Sequence, residues 1–516
     1  MLGEKVRHFA EHPATSLEAL VPSGHFYRHL ERALDLTFVR DLVRDCYATG
    51  GRPGIDPVVF FKLQLALFFE GLRSERQLMR VVADRLSLRW YIGYDLDEAV
   101  PDHSSLTRIR ERFGVETFRR FFETVLERCR EVGLLWGEEL YADATKVQAN
   151  AAYPSYQPRF AVDAHLHQLF ADGTEAPVPP DVEAEDVSAP APDVGLLPRI
   201  HPADAASGDS LAAANEARFD WLAAHGRPSR DAAVPSGRWA ADYRVSTTDP
   251  DATVLHLKNG GPRLGYQTHY LVDGGQARLI LNVLVAPAEV KENEPFLDLF
   301  RQARFRWRLR PRHVCGDSKY GTTAIVAALE RQGIRAYMPL PAPNPRQGLY
   351  PKEACTYEPT RDAYVCPQGA RLSREHTSHT EQSVHYRAPA ATCNACPRKG
   401  DCTTSDQGRL VGRRFDEPYL DRVRAYGGTA PYERALRKRG VWVEPLFAEA
   451  KDWHGLRRFR LRGLAKVNRE ALVVATGQNI KRFLSRQGWG RRPTPAGTPG
   501  LRLRPAQNYR ASAGLR

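Results

Sequence analysis

Apolar residues recur with a helical period over residues 26–134. In the stretch DPVVFFKLQLALFFEGL, Asp56 is suited to an N-cap and Pro57 stands at the first helical position. Further helical patterns follow in SERQLMRVVADRLSLRWYIG, in DHSSLTRIRERFG and in ETFRRFFETVLERCREVGL. The pattern therefore predicts an N-terminal helical domain over residues 1–136.

Arginines are frequent on these helices, and Arg108, Arg110 and Arg112 follow one another in DHSSLTRIRERFG, where Ser104 or Ser105 is the predicted cap. Short capped helices that carry arginines suit a helix-turn-helix-like reader of DNA. A small bundle with a solvated basic face is an equally good interpretation. We expect this domain to bind DNA.

From Glu138 onward the pattern changes to alternation, which predicts strands. The strand ELYADATKV is followed by a hairpin in LGYQTHYLVDGGQARLILNVLVAP, with Asp273-Gly274-Gly275 at the turn. A helix, NEPFLDLFRQARFRW, then leads into a strand, helix and strand in RPRHVCGDSKYGTTAIVAALERQGIRAYMPL. This order predicts an α/β domain with one mixed sheet.

The α/β domain is divided by other segments. Residues from about 152 to about 236 are rich in Pro, Ala and acidic side chains, a composition that predicts a flexible insertion. The first part of the core is predicted over residues 137–345 and the second over 431–485. Between them, residues 346–430 form a predicted small Cys-rich domain, and residues 486–516 a predicted basic, disordered tail.

The chain has 516 residues, a formal net charge of +13 and a pI near 9.4, which favours an anionic partner such as nucleic acid. The charge is uneven, because the insertion is acidic whereas the chain after His454 contains a single acid, Glu470. The most apolar run, VVFFKLQLALFF, is interrupted by Lys62 and Gln64 and is too short to span a bilayer. We expect a cytoplasmic protein with no membrane partner.

Acidic residues at the ends of predicted elements are the candidates for chemistry. Asp143 lies in the strand-like stretch LYADATKV, and Asp317 lies in HVCGDSKYG at the end of a predicted strand. Taken singly, each is better explained as a turn or helix-cap residue. Glu444 begins a predicted helix, and Lys451, seven residues later, lies on the same helical face, while Glu449 is assigned to the solvent side. An ordinary solvated helix start is the alternative for Glu444. Together the three acids suit a site for Mg²⁺, which prefers oxygen ligands.

These motifs carry a family resemblance. The set LYADATKVQANA, TTDPDA, LGYQTHYLVD, CGDSKYG and VEPLFAEAKDWHGLRRFRLRGLAKV resembles the insertion-sequence transposases of the DDE class, whose core has an RNase-H-like fold. GRPGIDPVVFFKLQLALFFEGLRSERQL and PDHSSLTRIRERFG resemble the helical domain that precedes this core in many bacterial members. The resemblance covers most of residues 50–150 and 237–485.

The resemblance implies that Asp143, Asp317 and Glu444 are the catalytic acids that bind two Mg²⁺ or Mn²⁺ ions, and that Lys451 lies near DNA phosphate. Related groups carry a Tyr and an Arg at seven and four residues before the Glu. This sequence instead has Arg437 and Gly440 there, with Lys438 and Arg439 between them.

The implied activity is metal-dependent phosphodiester hydrolysis at transposon ends and strand transfer into target DNA, by a nucleoid-associated homo-oligomer. A catalytically inactive, transposase-derived DNA-binding protein is the alternative, and an RNase-H-fold nuclease without strand transfer is a third interpretation.

Cysteines cluster in the predicted Cys-rich domain, at Cys366, Cys393, Cys396 and Cys402. The Cys-x2-Cys spacing of CNAC and the turn sequence CPQG are typical of zinc ligands, and zinc would order a domain with few hydrophobic residues. Free thiols in a loop are the alternative, and a disulfide is disfavoured in the cytosol. Nearby histidines, expected to be solvated loop residues, are further candidate ligands: His376, His379 and His385.

The segment RRFRLRGLAK places four arginines after the Glu444 helix, namely Arg457, Arg458, Arg460 and Arg462. Their alternation with Phe459 and Leu461 predicts one packed face and one face that meets DNA phosphates. A solvated basic strand is the alternative. NREALVVATGQNIKRFL is predicted to close the domain as an amphipathic helix.

Overall fold

The computed structural model describes residues 16–47, 54–158, 244–257, 261–341 and 348–490. The predicted flexible insertion lies outside these ranges apart from its first residues, and the predicted basic tail lies outside them from residue 491 onward. The domain boundaries given above stay predictions.

The helices in chain order are α1 (Leu17–Leu20), α2 (Phe26–Ala33), α3 (Val39–Leu42), α4 (Pro57–Phe69), α5 (Glu75–Asp84), α6 (Leu86–Ile92), α7 (His103–Glu131), α8 (Phe296–Trp307), α9 (Thr323–Glu330), α10 (Ala390–Asn394), α11 (Lys399–Cys402), α12 (Glu417–Tyr426), α13 (Ala430–Trp442), α14 (Glu444–Trp453) and α15 (Leu464–Arg486).

The strands are β1 (Glu139–Gln148), β2 (Tyr156–Pro158), β3 (Arg244–Ser246), β4 (Thr253–Leu255), β5 (Arg263–Asp273), β6 (Ile280–Pro287), β7 (His313–Cys315), β8 (Arg335–Tyr337), β9 (Thr356–Glu358), β10 (Ala363–Val365), β11 (Arg371–Ser378), β12 (Ser383–Arg387) and β13 (Leu410–Arg414).

Local sequence determines where the N-terminal helices begin. The Asp56 carboxylate accepts a hydrogen bond from Val58 N at 2.8 Å and caps α4, as predicted. The predicted serine cap of α7 is wrong, because the helix begins earlier and the Asp102 carboxylate accepts from Ser104 N at 2.8 Å. Helix α7 bends at Gly114, whose φ of 65° is left-handed and therefore favours glycine.

The central sheet contains β6, β5, β1, β7 and β8 in that spatial order, with β4 also paired to β5. Strand β5 is antiparallel to both of its neighbours, β6 and β1, whereas β7 is parallel to β1 and β8 is parallel to β7. The parallel strands are joined by α9, as a crossover between parallel strands requires. This arrangement confirms the predicted mixed sheet and its RNase-H-like fold.

Helix α15 covers the outer edge of β6. The Asn479 side chain accepts from Ile280 N at 2.9 Å and donates to Ile280 O at 2.8 Å, and Asn468 exchanges the same pair of bonds with Val285. Side-chain amides thereby satisfy backbone groups that an edge strand leaves free. The prediction of an amphipathic helix is wrong, because α15 packs against β6, α7 and α4 and is buried on most of its circumference.

The N-terminal helices pack directly on the core. The Glu75 carboxylate at the start of α5 forms ion pairs with Arg110 on α7 and, at 3.1 Å, with Arg460. Gly477 of α15 faces the ring of Phe68 so closely that a Cβ atom there would lie 2.4 Å from it. Arg110 is 3 % exposed, so it belongs to this buried contact and not to a basic surface.

The Cys-rich region forms a separate antiparallel sheet in the order β13, β12, β11, β10, β9. Its core is small: Cys355, Tyr364, Leu372, Tyr386, Ala388 and Val411. The expectation of solvated loop histidines is wrong in part, since His376 and His385 lie on paired strands with ring centroids 4.5 Å apart.

Of the helices in the described ranges, none combines the length and the apolar composition that a bilayer crossing requires.

Candidate metal centre and nucleic-acid interface

The register of the sheet brings Asp143 and Asp317 together. In the parallel pair, Tyr141 of β1 lies opposite Cys315 of β7. Two residues further along each chain come Asp143 and Asp317, which places both on the same side and at the same level. Neither caps a helix, because Thr322 caps α9 and Asp143 lies within β1.

A third carboxylate completes this group. Oxygen atoms of Asp143, Glu292 and Asp317 all lie within 4.8 Å of one another. Glu292 follows β6 in the turn before α8, its side chain is 9 % exposed, and it is ion-paired with Lys319. The sequence interpretation did not include Glu292. Its position after a buried strand was a usable signal, but Glu289 and Glu294 share that position.

Burial and mutual repulsion shape the electrostatics of the three acids. Burial raises the pKa of Asp143 to about 6, against the opposing charge of Arg439, and the carboxylates of Glu292 and Asp317 add to the rise. Burial also raises the pKa of Glu292, although the Lys319 ammonium partly offsets it. A cation placed among these oxygens relieves the repulsion between them. Their chemistry suits Mg²⁺ or Mn²⁺.

Glu444 lies at the border of this group and not inside it. It is the first residue of α14, and its side chain is 62 % exposed. The Arg439 guanidinium contacts Asp143 Oδ2 at 3.0 Å and Glu444 Oε1 at 3.8 Å, so both carboxylates share one cation. Lys438, the other basic residue between Arg437 and Gly440, is paired with Glu139 at 2.6 Å.

The assignment of Glu449 to the solvent side is wrong. Its carboxylate accepts hydrogen bonds from Arg482 at 3.0 Å and from Gln478 at 3.1 Å, and Lys481 and His454 lie beside it. Burial acts to raise the pKa of Glu449, but the neighbouring His454, Arg482 and Lys481 outweigh it and hold the pKa well below its ordinary value. Helix α14 therefore has one acid at the candidate centre and another against α15.

Two family models match the chain. The family described as "Transposase domain (DUF772)" matches residues 15–112, and that described as "Transposase DDE domain" matches residues 365–484. The chain is an insertion-sequence DDE transposase. The second match includes strands β11, β12 and β13 of the Cys-rich sheet and α14, whereas Asp143 and Asp317 lie outside both matches. No curated protein and no solved structure matches the transposase.

The basic segment of the transposase, residues 457–462, is joined to the end of β1. Gln148 N donates to Arg457 O at 3.1 Å, and Phe459 N donates to Gln148 O at 2.8 Å. The Phe459 ring is buried, so the alternation predicted here places the aromatic residue in the core. The segment is therefore fixed in position relative to the acids on the same strand.

The arginines of the basic segment differ in exposure. Arg457, Arg458 and Arg462 are exposed, whereas Arg460 is directed inward and paired with Glu75. Burial lowers the pKa of Lys451, and the charge of Arg457 adds to this effect. A cationic neighbourhood of this kind is stabilised by an anion such as a phosphate.

Proposed function

We propose that the transposase hydrolyses phosphodiester bonds at the ends of its element and joins the freed 3′-hydroxyl groups to target DNA. Asp143, Asp317 and Glu444 are the catalytic acids of this proposal. The observation that carries it is the convergence of the Asp143, Glu292 and Asp317 oxygens within 4.8 Å on an RNase-H-like sheet. A convergence of carboxylates in a DDE transposase suits phosphoryl transfer better than a structural role.

The donor atoms fit a hard divalent cation. Carboxylate oxygens are the ligands that Mg²⁺ and Mn²⁺ prefer, and these ions keep positions for water and substrate phosphate. A divalent ion supplies stabilisation of the oxygens that gain negative charge at the phosphorus. The rigid β1 strand holds Asp143, and the turn after β7 holds Asp317, so that the ligands need little reorganisation.

Glu292 and Arg439 modify this assignment. Glu292 lies with Asp143 and Asp317 in the position where the family pattern would place the third acid, Glu444. In our proposal Glu292 is an additional metal ligand or accepts a hydrogen bond from a coordinated water. Arg439 links Asp143 to Glu444 and compensates part of their charge. It lies one residue before Gly440, so we assign it the role of the family arginine.

The decisive experiment measures strand cleavage and strand transfer of element-end DNA with Mg²⁺ or Mn²⁺. Asp143→Asn, Asp317→Asn and Glu444→Gln should each lose both activities. Glu433→Gln is the matched control, because this carboxylate on α13 is 52 % exposed and paired with Arg437. Equal activity in all variants would remove the assignment of the acids.

The same assay separates the alternative functions. If the protein binds the DNA but does not cut it at any metal concentration, it is a catalytically inactive DNA-binding protein. One that cuts ends which never join a target plasmid is a nuclease without strand transfer. Either result would replace the proposed function.

Metal binding gives a readout that does not depend on activity. Mn²⁺ titration followed by electron paramagnetic resonance should show weaker binding in Asp143→Asn and Asp317→Asn than in the wild type. Comparing Glu292→Gln with Glu444→Gln then determines which acid completes the site. Binding by both variants at wild-type affinity would show that neither is a ligand.

The proposed DNA surface consists of Lys451 and the exposed arginines of the basic segment. Removing one phosphate contact should make the negative slope of log K against log salt concentration shallower by about 0.9. Arg457→Ala and Arg462→Ala should each show this change. Arg301→Ala, on the solvent side of α8 with a side chain that is 56 % exposed, is the control. An unchanged slope in both variants would place the DNA elsewhere.

We also propose that two or more copies of the transposase hold two element ends together, with the N-terminal helices contacting DNA. Light scattering of the protein with and without end DNA tests this assembly. A single copy on a single end at all concentrations would contradict it.

A further inference from the structure

We propose that Cys366, Cys393, Cys396 and Cys402 of the transposase bind one zinc ion that holds the Cys-rich region together. This site is separate from the candidate catalytic centre, and its existence does not depend on the proposed function. The proposal rests on the arrangement of the four thiols, the backbone that presents them and the small core beside them.

The four thiols surround one cavity. Cys366, Cys393, Cys396 and Cys402 line a cavity of about 210 Å³, and each is partly buried. They come from three places in the chain: the turn after β10, helix α10 with the residues after it, and the end of α11. A single tetrahedral ion can join three chain segments that each present sulfur to the same cavity.

The backbone presents these sulfurs in tight turns. Gly369 N donates to Cys366 O and Cys366 N donates to Ala370 O, both at 2.9 Å, with Gly369 at a φ of 79°. Cys396 N donates to Cys393 O at 3.2 Å, which puts the two sulfurs of the Cys-x2-Cys pair on one turn. Arg409 N donates to Cys393 Sγ at 3.4 Å, a hydrogen bond that strengthens when the sulfur is a thiolate.

Cationic side chains lie around the cavity that the four thiols line. Arg398, Lys399 and Arg409 line the same cavity. Four thiolates that repel one another beside cationic side chains are stabilised when a divalent ion is bound between them.

The small size of the local core explains why a bound metal ion would stabilise this region. Within the described residues, the buried apolar cluster of the Cys-rich sheet consists of six residues, and the sheet beside it has five strands. A core this small contributes little stability alone, and a structural metal is the usual supplement. Cys355 is part of that apolar core and does not line the cavity, so we assign it a packing role.

The thiols converge less closely than the acids. In the described parts of the chain, the group with ligand atoms within 4.8 Å of one another is that of the acids. Zn–S bonds of about 2.3 Å place tetrahedral sulfurs about 3.8 Å apart. Binding therefore requires the thiolates to rotate towards the centre of the cavity.

The first experiment counts zinc in the full-length protein, purified with Zn²⁺ and then washed with excess Mg²⁺. We expect about one zinc per chain in the wild type and about tenfold less in Cys393→Ser/Cys396→Ser. Cys355→Ser is the matched control and should keep its zinc. Loss of zinc in Cys355→Ser equal to that in the double variant, or no zinc in the wild type, would overturn the proposal.

A second experiment uses the wild type alone, so that a variant that fails to fold does not affect it. Iodoacetamide labelling followed by mass spectrometry should find the four cysteines protected in the zinc-loaded protein and modified after EDTA. Cys46 should label equally in both samples. Equal labelling of all cysteines with and without EDTA, or a disulfide between any two of the four, would refute a zinc site.

Cobalt tests the geometry. Co²⁺ added to the EDTA-treated transposase should give intense visible bands and a thiolate-to-metal band in the near ultraviolet, typical of tetrahedral sulfur ligation. Cys402→His should retain a tetrahedral spectrum with a shifted thiolate band, since imidazole is also a zinc ligand. Weak bands of octahedral type in the wild type would contradict the assignment.

Discussion

Replacing Glu449 by Gln removes the negative charge that Arg482, Lys481 and His454 share at the contact between α14 and α15. Replacing Glu444 by Gln changes the same helix five residues earlier, where the side chain is exposed. We expect the first variant to lose stability while its acids remain in place. We expect the second to lose activity while its stability remains.

The structure gives the expected magnitudes. Breaking a buried ion pair costs about 3–5 kcal/mol, and the partial exposure of Lys481 reduces the estimate for Glu449→Gln to about 2–3 kcal/mol. This corresponds to a fall of roughly 4–12 °C in Tm. The exposed pair of Glu444 with Arg439 is worth less than about 1 kcal/mol. Loss of a metal ligand should reduce strand transfer at least about a hundredfold.

Thermal melts followed by circular dichroism, together with strand-transfer rates at a temperature where both variants are folded, provide the assay. Glu433→Gln, which is exposed on α13, controls for the loss of one negative charge. A Glu444→Gln variant that melts as early as Glu449→Gln would contradict the different roles of the two acids. So would a Glu449→Gln variant that melts with the wild type, because its carboxylate would then have no structural role.

The remaining predictions concern the contact between the N-terminal helices and the core. Glu75→Gln leaves Arg110 and Arg460 without their shared carboxylate, and thermal melts should show a loss of about 3 kcal/mol. Burial acts to raise the pKa of Glu75, but the two arginines hold it below 4.5. The stability difference between Glu75→Gln and the wild type should therefore be complete above pH 4.5 and shrink as the pH falls below it. A stability difference that stays constant in acid would contradict this origin. Gly477→Ala should cost about 1–3 kcal/mol and speed proteolysis of the N-terminal helices, whereas Gly400→Ala, where a Cβ has no neighbour within 4 Å, should not.

Local signals in the sequence were sufficient for many elements. Asp56 and Pro57 predicted the start of α4 because a cap depends on neighbouring residues alone. Alternation predicted β1 and β5, and the order of strands and helices along the chain predicted one mixed sheet. The meeting of Asp143 with Asp317 was predictable in outline, since ligands gather at the ends of parallel strands.

Contacts between distant segments were not predictable in the same way. A helical period gives the angle between Glu444 and Glu449 but not which side of α14 faces α15, and Glu449 was therefore assigned to the wrong environment. Glu292 lies in a turn without periodicity, between two other glutamates, so that only the folded chain distinguishes it. Arg460 and Arg110 resembled surface arginines, but a single buried carboxylate pairs with both.

The attachment of the basic segment to β1 fixes its distance from Asp143. Asp143 and Gln148 are five positions apart on one strand, a span of about 17 Å at about 3.3 Å per residue. On the proposed function, the transposase would therefore hold the DNA backbone at a fixed distance from the bond it cuts, and the length of a β-strand would set that distance.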